Sequence, residues 1–254
     1  MSDEVLVEHA DGVTVITINR PQARNAVNRA VSEGIGAALE EFESRKDLTV
    51  AVITGAGGTF CSGMDLKAFV AGENVALEDR GFAGITKLPP RKPVIAAVEG
   101  VCVAGGTEVL QATDIRVAAE SASFGLFEVR RGLFPVGGST VRLARQIPRT
   151  HAMEMLLTGR RYTAAEARDI GLVGSVVPDG TALKRALELA EAVNEAAPLA
   201  VEAVKRSVYE CADLSEQDGL AKELEIGWPI FATEDAKEGP RAFAERRAPV
   251  YRRH

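Results

Sequence analysis

The sequence has few of the residues from which metal centres and thiol-based active sites are built. Its 254 residues include three cysteines and three histidines. Cys61, Cys102 and Cys211 are far apart, and no cysteine or histidine cluster has the spacing of metal ligands. An odd number of scattered cysteines predicts reduced thiols in a cytosolic protein rather than a disulfide framework. We therefore expect no metal site, and a catalytic thiol at Cys61 or Cys102 is disfavoured.

The sequence also lacks an excess of positive charge and any long hydrophobic run. The formal net charge is −6, which gives no electrostatic support for binding nucleic acid. No stretch approaches the roughly 18 consecutive apolar residues of a transmembrane helix. The segment of residues 1–12 is acidic and does not have the pattern of a signal peptide. We expect a cytoplasmic protein with neither a membrane nor a nucleic-acid partner.

What the sequence does contain is an alternation of strand-like and helix-like segments. Residues 5–7 and 13–18 flank a turn and predict a β-hairpin. Apolar residues at helical spacing predict a helix over residues 28–43. The apolar runs 50–54 and 94–98 are typical of strands buried on both faces. This order predicts an α/β fold, and a hydrophobic content of 46% is ample for a sizeable core.

The C-terminal part of the chain predicts helices with no strand between them. They span residues 181–197, 198–211, 215–231 and 235–246. We therefore divide the chain into a core, residues 1–197, and a helical region, residues 198–254. Trp228, Ile230 and Phe231 are either ordinary core or an oligomer surface, because a helical tail on an α/β body often needs a partner to bury it.

Two glycine-bearing loops lead from strands into helices. In the first, Gly55-Ala56-Gly57 is similar to a dinucleotide-binding fingerprint, but Phe60 occupies the third glycine position, so we reject a Rossmann site. Asp65, at the start of the following helix, is more readily a helix cap than a catalytic group. In the second loop, Gly105-Gly106 opens a helix whose N-terminus offers unpaired N–H groups and a partial positive charge.

A glutamate accompanies the second loop and another follows it in the chain. Glu108 lies in the first turn of the helix after Ala104, and Glu128 comes shortly after Phe124-Gly125. Glu108 alone has an ordinary explanation, since acidic side chains favour the first turn of a helix. Two carboxyl groups together with two loops of free N–H groups are what an acid–base catalyst needs if it must also stabilise an oxyanion.

Short motifs spread in order over nearly the whole chain resemble those of the crotonase, or enoyl-CoA hydratase/isomerase, superfamily. They lie at residues 19–21, 25–26, 60–67, 92–100, 104–108, 122–125, 137–138, 157–159, 164–167, 171–173 and 238–243. Ala104-Gly105-Gly106-Thr107-Glu108 is one of them. The resemblance is highly specific for the family and much less specific for the reaction.

The resemblance implies a crotonase-like spiral of ββα units followed by a C-terminal helical trimerisation region, assembled as homotrimers or dimers of trimers. It implies an acyl-CoA thioester as substrate and no separate cofactor, because coenzyme A is part of the substrate. At the matching positions, the N–H groups of Met64 and Gly105 form the oxyanion hole, and Glu108 and Glu128 are the catalytic pair. The residues implied to contact the CoA ester are Ala23, Arg24, Ala26, Met64, Asp65, Leu66, Lys67 and Gly105.

The presence of both glutamates favours a hydratase, which adds water syn to a trans-2-enoyl-CoA and gives a 3-hydroxyacyl-CoA. An isomerase needs only one base. Phe127 departs from the family pattern, in which hydratases usually carry proline before the second glutamate, so it could reorient Glu128 or narrow the acyl pocket.

Several alternatives stay open at this point. They are an isomerase, a dual enzyme, another crotonase-type acyl-CoA enzyme and a catalytically silent CoA-ester-binding assembly protein. Residues 72–84 are polar and irregular, which predicts a mobile surface loop.

Overall fold

The computed structural model describes residues 3–254 of the chain. The strands are β1 Val5–Ala10, β2 Val13–Ile18, β3 Val50–Gly55, β4 Ala76–Leu77, β5 Gly81–Phe82, β6 Val94–Val98, β7 Val101–Val103, β8 Ile115–Ala119, β9 Ser123–Gly125, β10 Tyr162–Thr163 and β11 Ser175–Val177. The helices are α1 Arg29–Ser44, α2 Leu66–Val70, α3 Gly105–Gln111, α4 Ser139–Gln146, α5 Arg149–Thr158, α6 Ala164–Asp169, α7 Ala182–Asn194, α8 Pro198–Cys211, α9 Glu216–Gly227 and α10 Glu234–Glu245. Short 3-10 turns cover Pro21–Ala23, Glu128–Arg131 and Trp228–Ala232.

A six-stranded sheet with the order β1-β2-β3-β6-β8-β11 forms the centre of the molecule. The predicted hairpin β1–β2 is antiparallel, and every other neighbouring pair in this sheet is parallel. Along β3, Ala51 and Ile53 face the larger hydrophobic core, whereas Val50 and Val52 face a smaller core closed by α7. This alternation confirms the prediction of a strand buried on both faces and an α/β architecture.

A second, three-stranded sheet of order β10-β9-β7 lies beyond the ends of the first. The chain crosses twice from the large sheet to the small one, from β6 to β7 and from β8 to β9, and a helical segment follows each crossing. At the first crossing Gly100 has φ +55°, and a Cβ there would lie 2.3 Å from the carbonyl oxygen of Gly58. Only glycine permits so close a backbone approach. This repeat of two strands and a helix is the unit of the predicted spiral.

The helices α8 to α10 pack on one another after the last strand. Pro198 occupies the first turn of α8, where its missing N–H has no cost, and the predicted bounds of this helix are confirmed. Asp114, which directly precedes β8, ties α8 to the core: it pairs with the Lys205 ammonium at 2.7 Å and accepts from the Tyr209 hydroxyl at 3.0 Å. The backbone N–H of Val94 donates to the same carboxylate.

Trp228 and Phe231 do not belong to the core of this chain. Their exposed fractions are 62% and 72%, and their rings lie against each other with centroids 5.2 Å apart. Other large apolar side chains of the helical region are also exposed, namely Val204, Val208, Leu220, Leu224 and Phe243. The α8 to α10 region therefore presents a broad apolar face on the single chain.

The prediction that residues 72–84 form a mobile surface loop is wrong in placing the whole segment at the surface. This segment contains the small antiparallel hairpin β4–β5, and Val75 and Phe82 are buried in the larger core. The Arg80 side chain is also buried, and its Nε donates to the carbonyl oxygen of Gly84 at 3.0 Å. The segment has too few apolar residues for their spacing to predict burial. The residues that bury Val75 and Phe82 belong to elements that are distant in the sequence. In the part of the chain that the structure describes, no helix is both long and apolar enough to cross a membrane.

Candidate active site

The two glycine-bearing loops lie side by side. Cys61 and Cys102 form a parallel bridge, in which the Cys61 N–H donates to Val101 at 2.9 Å and the Val103 N–H donates to Cys61 at 3.0 Å. On its other side the first loop forms a parallel bridge between Met64 and Val27. The Val27 N–H donates to the Gly63 carbonyl oxygen, and the Asp65 N–H donates to the Val27 carbonyl oxygen. Met64 is therefore fixed between two segments of backbone.

Two glycines make this close approach possible. A Cβ on Gly63, whose φ is +95°, would lie 3.1 Å from the amide nitrogen of Gly105, and one on Gly106 would lie 2.3 Å from the Cys61 carbonyl oxygen. Larger residues at these two positions would separate the loops. Gly105 instead makes room for Phe82, since a Cβ there would lie 2.5 Å from the Phe82 ring.

The amide N–H groups of Met64 and Gly105 are available to a ligand. Within residues 3–254 neither donates to a protein acceptor, and Gly105 is the first residue of α3, where N–H groups have no helical partner. Ala104 precedes it with φ +51° and ψ −127°, a conformation that L-residues rarely adopt. Backbone strain of this kind persists where the surrounding structure imposes it, commonly at functional sites.

Glu108 lies one turn into α3 and is almost completely buried, with 4% of its surface exposed. The pKa of its carboxyl is raised to about 7, chiefly by burial and also by the charge of Glu128, against the lowering effects of the Ser139 and Gly137 backbones and the Ser139 hydroxyl. The Ser139 N–H donates to Oε1 of Glu108 at 3.2 Å. A Cβ on Gly137 would lie 2.5 Å from Oε2, so this glycine makes room for the carboxyl.

Glu128 opens the 3-10 turn Glu128–Arg131. Burial raises the pKa of its carboxyl, against the lowering effects of its own backbone N–H and of Arg131. Its Oε2 is buried and has no hydrogen-bond partner among the described residues. The charge of Glu128 contributes to the raised pKa of Glu108, so the two carboxyls share one electrostatic environment.

Phe127 precedes Glu128 with φ −92°, outside the range that proline adopts. Its ring packs over Gly125, where a Cβ would lie 2.5 Å from it, and the Arg161 guanidinium lies 5.7 Å from the ring centroid. With Phe127 at this position, the charge of Glu128 still acts to raise the pKa of Glu108.

The interpretation of Asp65 as a helix N-cap is confirmed. Its Oδ1 accepts from the N–H groups of Lys67 and Ala68 at the start of α2, and its Oδ2 pairs with the Arg20 guanidinium at 3.0 Å. Burial acts to raise the pKa of Asp65, but Arg20 and these N–H groups outweigh it and hold the pKa below the usual range. The carboxylate of Asp65 is thus fully engaged within the protein.

The structure brings the other residues predicted to contact a CoA ester onto two adjoining segments. The Arg24 carbonyl oxygen accepts from Ser62, and the Ala26 carbonyl oxygen accepts from Arg20. The side chains of Arg24, Leu66 and Lys67 are exposed, Ala23 is half-buried and Ala26 is buried. Arg24 therefore offers a charge close to the loop that carries Met64.

The sequence motifs did not identify three residues that organise this site. Arg20 joins the two segments through Asp65, Ser139 holds the Glu108 carboxyl, and Gln111 contacts Ser139. Arg20 belongs to a recognised motif, and Ser139 follows Gly137-Gly138 in another, so motif position was a signal for both. Gln111 gave no signal in the sequence beyond being a polar residue near the end of a short helix.

The thiols are not placed for catalysis. Cys61 and Cys102 are completely buried, and burial raises the pKa of Cys61 to about 12 and that of Cys102 well above its usual value. Thiols of this kind are unreactive at neutral pH. Among residues 3–254 no group of three or more histidines, cysteines, aspartates or glutamates is placed to hold a metal ion.

Comparison with known proteins identifies the family of this chain. The family described as enoyl-CoA hydratase/isomerase matches residues 8–254. The chain is 48% identical to enoyl-CoA hydratase EchA19 of Mycobacterium tuberculosis, covering 98% of this chain and 96% of that protein. It is 39% identical to the carnitinyl-CoA dehydratase of Salmonella typhi, covering 99% of both.

A solved structure of a probable enoyl-CoA hydratase/isomerase from Mycobacterium abscessus superposes with a TM-score of 0.95 at 55% identity, covering all of both chains. The crystal structure of enoyl-CoA hydratase from Mycobacterium tuberculosis gives 0.97 at 49% identity, with the same full coverage. These matches confirm the predicted crotonase-like fold. The chain belongs to the enoyl-CoA hydratase/isomerase family.

Proposed function

We propose that this protein is an enoyl-CoA hydratase that adds water syn across the double bond of a trans-2-enoyl-CoA and forms a 3-hydroxyacyl-CoA. The observation that carries the proposal is the pair formed by the buried Glu108 and the half-buried Glu128, whose carboxyls have raised pKa values and accompany the free N–H groups of Met64 and Gly105. Relatives named enoyl-CoA hydratase support it.

In the proposed mechanism the thioester oxygen accepts from the N–H groups of Met64 and Gly105. As charge develops on that oxygen, two fixed donors in a water-poor site stabilise it, and loss of one such donor typically costs about 3 kcal/mol. The β-carbon of the enoyl chain becomes electrophilic because its π electrons can move toward this oxygen. No additional cofactor is needed for this polarisation.

The attacking water lies between the two carboxyls in this proposal. An ionised carboxylate takes one proton from the water while the water oxygen bonds to the β-carbon, and the π electrons form an enolate at the thioester. The carboxyl pair then returns that proton to the α-carbon on the same face, and the carbonyl re-forms. Water thus supplies both added groups, and the product is the syn adduct.

We assign the ionised role to Glu108. The backbone N–H of Ser139 donates to its carboxyl, which favours the charged form against burial. Glu128 has a buried oxygen without a partner among the described residues, and that oxygen is the one we expect to bind the water.

The CoA portion is proposed to lie along the residues that flank Met64. Ala23, Arg24 and Ala26 receive the nucleotide end, and the backbone of residues 64–67 lies along the acyl-CoA. The exposed cations Arg24 and Lys67 support contact with CoA phosphates. Asp65 contributes through its backbone and by fixing Arg20, because its carboxylate is already engaged.

We also propose that residues 198–254 form an oligomerisation region appended to a core of residues 1–197, giving a homotrimer or a dimer of trimers. The exposed apolar face of α8 to α10 supports this assignment, since side chains such as Val208 and Phe231 need a partner surface. The free cysteines favour a reducing compartment such as the cytoplasm.

One observation favours a second activity, isomerisation of a 3-enoyl-CoA to the 2-enoyl ester. That reaction needs a single base, and the unpartnered carboxyl of Glu128 next to the non-proline residue Phe127 meets this requirement.

Incubation with crotonyl-CoA tests the main proposal: 3-hydroxybutyryl-CoA is the expected product, and an unchanged ester contradicts hydration.

A further inference from the structure

We propose that Gln111 is a positioning residue that acts on Glu108 by anchoring Ser139, whose backbone N–H donates to the Glu108 carboxyl. The inference deepens the proposed function, on which it rests for the catalytic role of Glu108. It assigns a role to a residue that touches neither the substrate nor the reacting atoms.

Two hydrogen bonds meet at Ser139, one at its hydroxyl oxygen and one at its backbone N–H, and link the three residues. Nε2 of Gln111 donates to Oγ of Ser139 at 3.0 Å, and the backbone N–H of Ser139 donates to Oε1 of Glu108 at 3.2 Å. Glu108 and Gln111 are three residues apart on α3 and so share one face of that helix. Ser139 begins α4 directly opposite, where its N–H has no helical partner.

The bond from Gln111 anchors Ser139 at its hydroxyl oxygen, while the backbone N–H of the same residue donates to Glu108. A hydrogen bond from this N–H favours the ionised carboxylate. Gln111 therefore holds Ser139 where its N–H reaches Glu108 and favours the charged form, which takes a proton from water.

A packing role does not account for glutamine at this position. Gln111 is 1% exposed, and its Oε1 has no hydrogen-bond partner among residues 3–254. Gln146 donates to the Gln111 carbonyl oxygen and likewise has an unpartnered Oε1. An unpaired buried oxygen lowers stability, and methionine would fill the same space without that loss. The amide is useful here for its donor.

Charged groups from two other elements also face Glu108 and must be held constant in any test. Glu128, in the 3-10 turn, raises the pKa of Glu108. Burial lowers the pKa of the Arg142 guanidinium on α4, and the charge of Glu108 acts to raise it. Nη1 of Arg142 donates to the Gly137 carbonyl oxygen at 3.1 Å. Neither group bonds to the Gln111 amide.

The experiment is a direct titration of Glu108 in the intact protein. Infrared difference spectra against Glu108→Gln identify the band of this carboxyl and give its midpoint without any turnover. We expect Ser139→Ala to raise the midpoint by about 1 pH unit, because the backbone N–H that donates to the charged form is no longer anchored through Gln111. Gln111→Met should raise it in the same direction, and adding Gln111→Met to Ser139→Ala should cause no further shift.

A matched control separates this role from a structural one. Thr113→Val removes a buried hydroxyl that donates to the Leu110 carbonyl oxygen at 2.7 Å, close to Gln111 in the chain. We expect this control to lower the melting temperature with no change in the midpoint. Gln111→Met should keep or raise the melting temperature and still shift the midpoint.

An unshifted midpoint in Gln111→Met, or additive shifts in the double variant, overturns the proposal. Should Gln111→Met fail to fold, an unshifted midpoint in Ser139→Ala has the same consequence. The titration also separates this inference from the proposed function: a protein that does not hydrate enoyl esters, yet shows these shifts, contradicts the function alone.

Discussion

A Cβ atom on Gly63 would lie 3.1 Å from the amide nitrogen of Gly105, so the two loops that carry the free N–H groups are in direct contact. Gly63→Ala should push them apart and lower kcat/KM roughly 100- to 1,000-fold, the effect of losing one oxyanion donor. Gly58→Ala is the control, because Gly58 has a similar positive φ of +70° but nothing within 4 Å of its Cβ position. Equal activity losses in both variants would attribute the effect to backbone strain instead.

Glu108 should make the protein less stable as the pH rises. Its folded pKa of about 7 is above the ordinary value of 4.5, so folding favours the protonated form. The resulting contribution to stability is complete below about pH 4.5 and is lost as the pH rises through 7. A shift of this size corresponds to about 3 kcal/mol at most.

Glu108→Gln removes this pH dependence. Its melting temperature relative to wild type should therefore rise as the pH increases from 4.5 through about 7, the range set by the two pKa values. Glu120→Gln, at an exposed position, provides the control and should show no such trend. A constant difference between Glu108→Gln and wild type across this range would mean that the buried carboxylate is not destabilising.

The same ionisation should govern the rate of hydration. If Glu108 must be charged to take a proton from water, kcat/KM rises with pH through an apparent pKa of about 7. The charge of Glu128 contributes to this value. A rate that falls as the pH rises through 7 would show that the protonated form of Glu108 is the active one.

The apolar face of the C-terminal helices should hold the oligomer together. Val204 and Val208 are both about two-thirds exposed and lie one turn apart on α8. Replacing both with aspartate should reduce the mass measured by light scattering to that of a single chain. Arg206→Asp, on another side of the same helix, should keep the oligomer. An unchanged mass in the valine variant would place the interface elsewhere.

Much of the architecture follows from local pattern. Residues 94–98 and 198–211 were predicted with the bounds that the structure has, because an apolar run and a proline at a helix start are local signals. Residues 72–84 were misjudged because the burial of Val75 and Phe82 depends on contacts with distant elements. Strand pairing within the two sheets is non-local for the same reason.

The motifs of the candidate site were readable, but the interactions that support it were not. Glu108 could be identified by its motif, whereas its pKa depends on burial and on Ser139, which is 31 residues away in the chain. The ion pair of Arg20 with Asp65 spans 45 residues. A sequence indicates which groups are present, but their electrostatic environment is set by the folded arrangement.

The most direct test of the account is product analysis with crotonyl-CoA and, separately, a 3-enoyl-CoA, using wild type, Glu108→Gln and Glu128→Gln. We expect wild type to form 3-hydroxybutyryl-CoA, and each variant to lose roughly 100- to 10,000-fold in kcat, as is typical for a general acid or base. CoA-ester binding should persist in both variants. Hydration at near-wild-type rates by either variant would contradict the two-glutamate mechanism, and conversion of only the 3-enoyl ester would mean that Glu128 acts alone as an isomerase base.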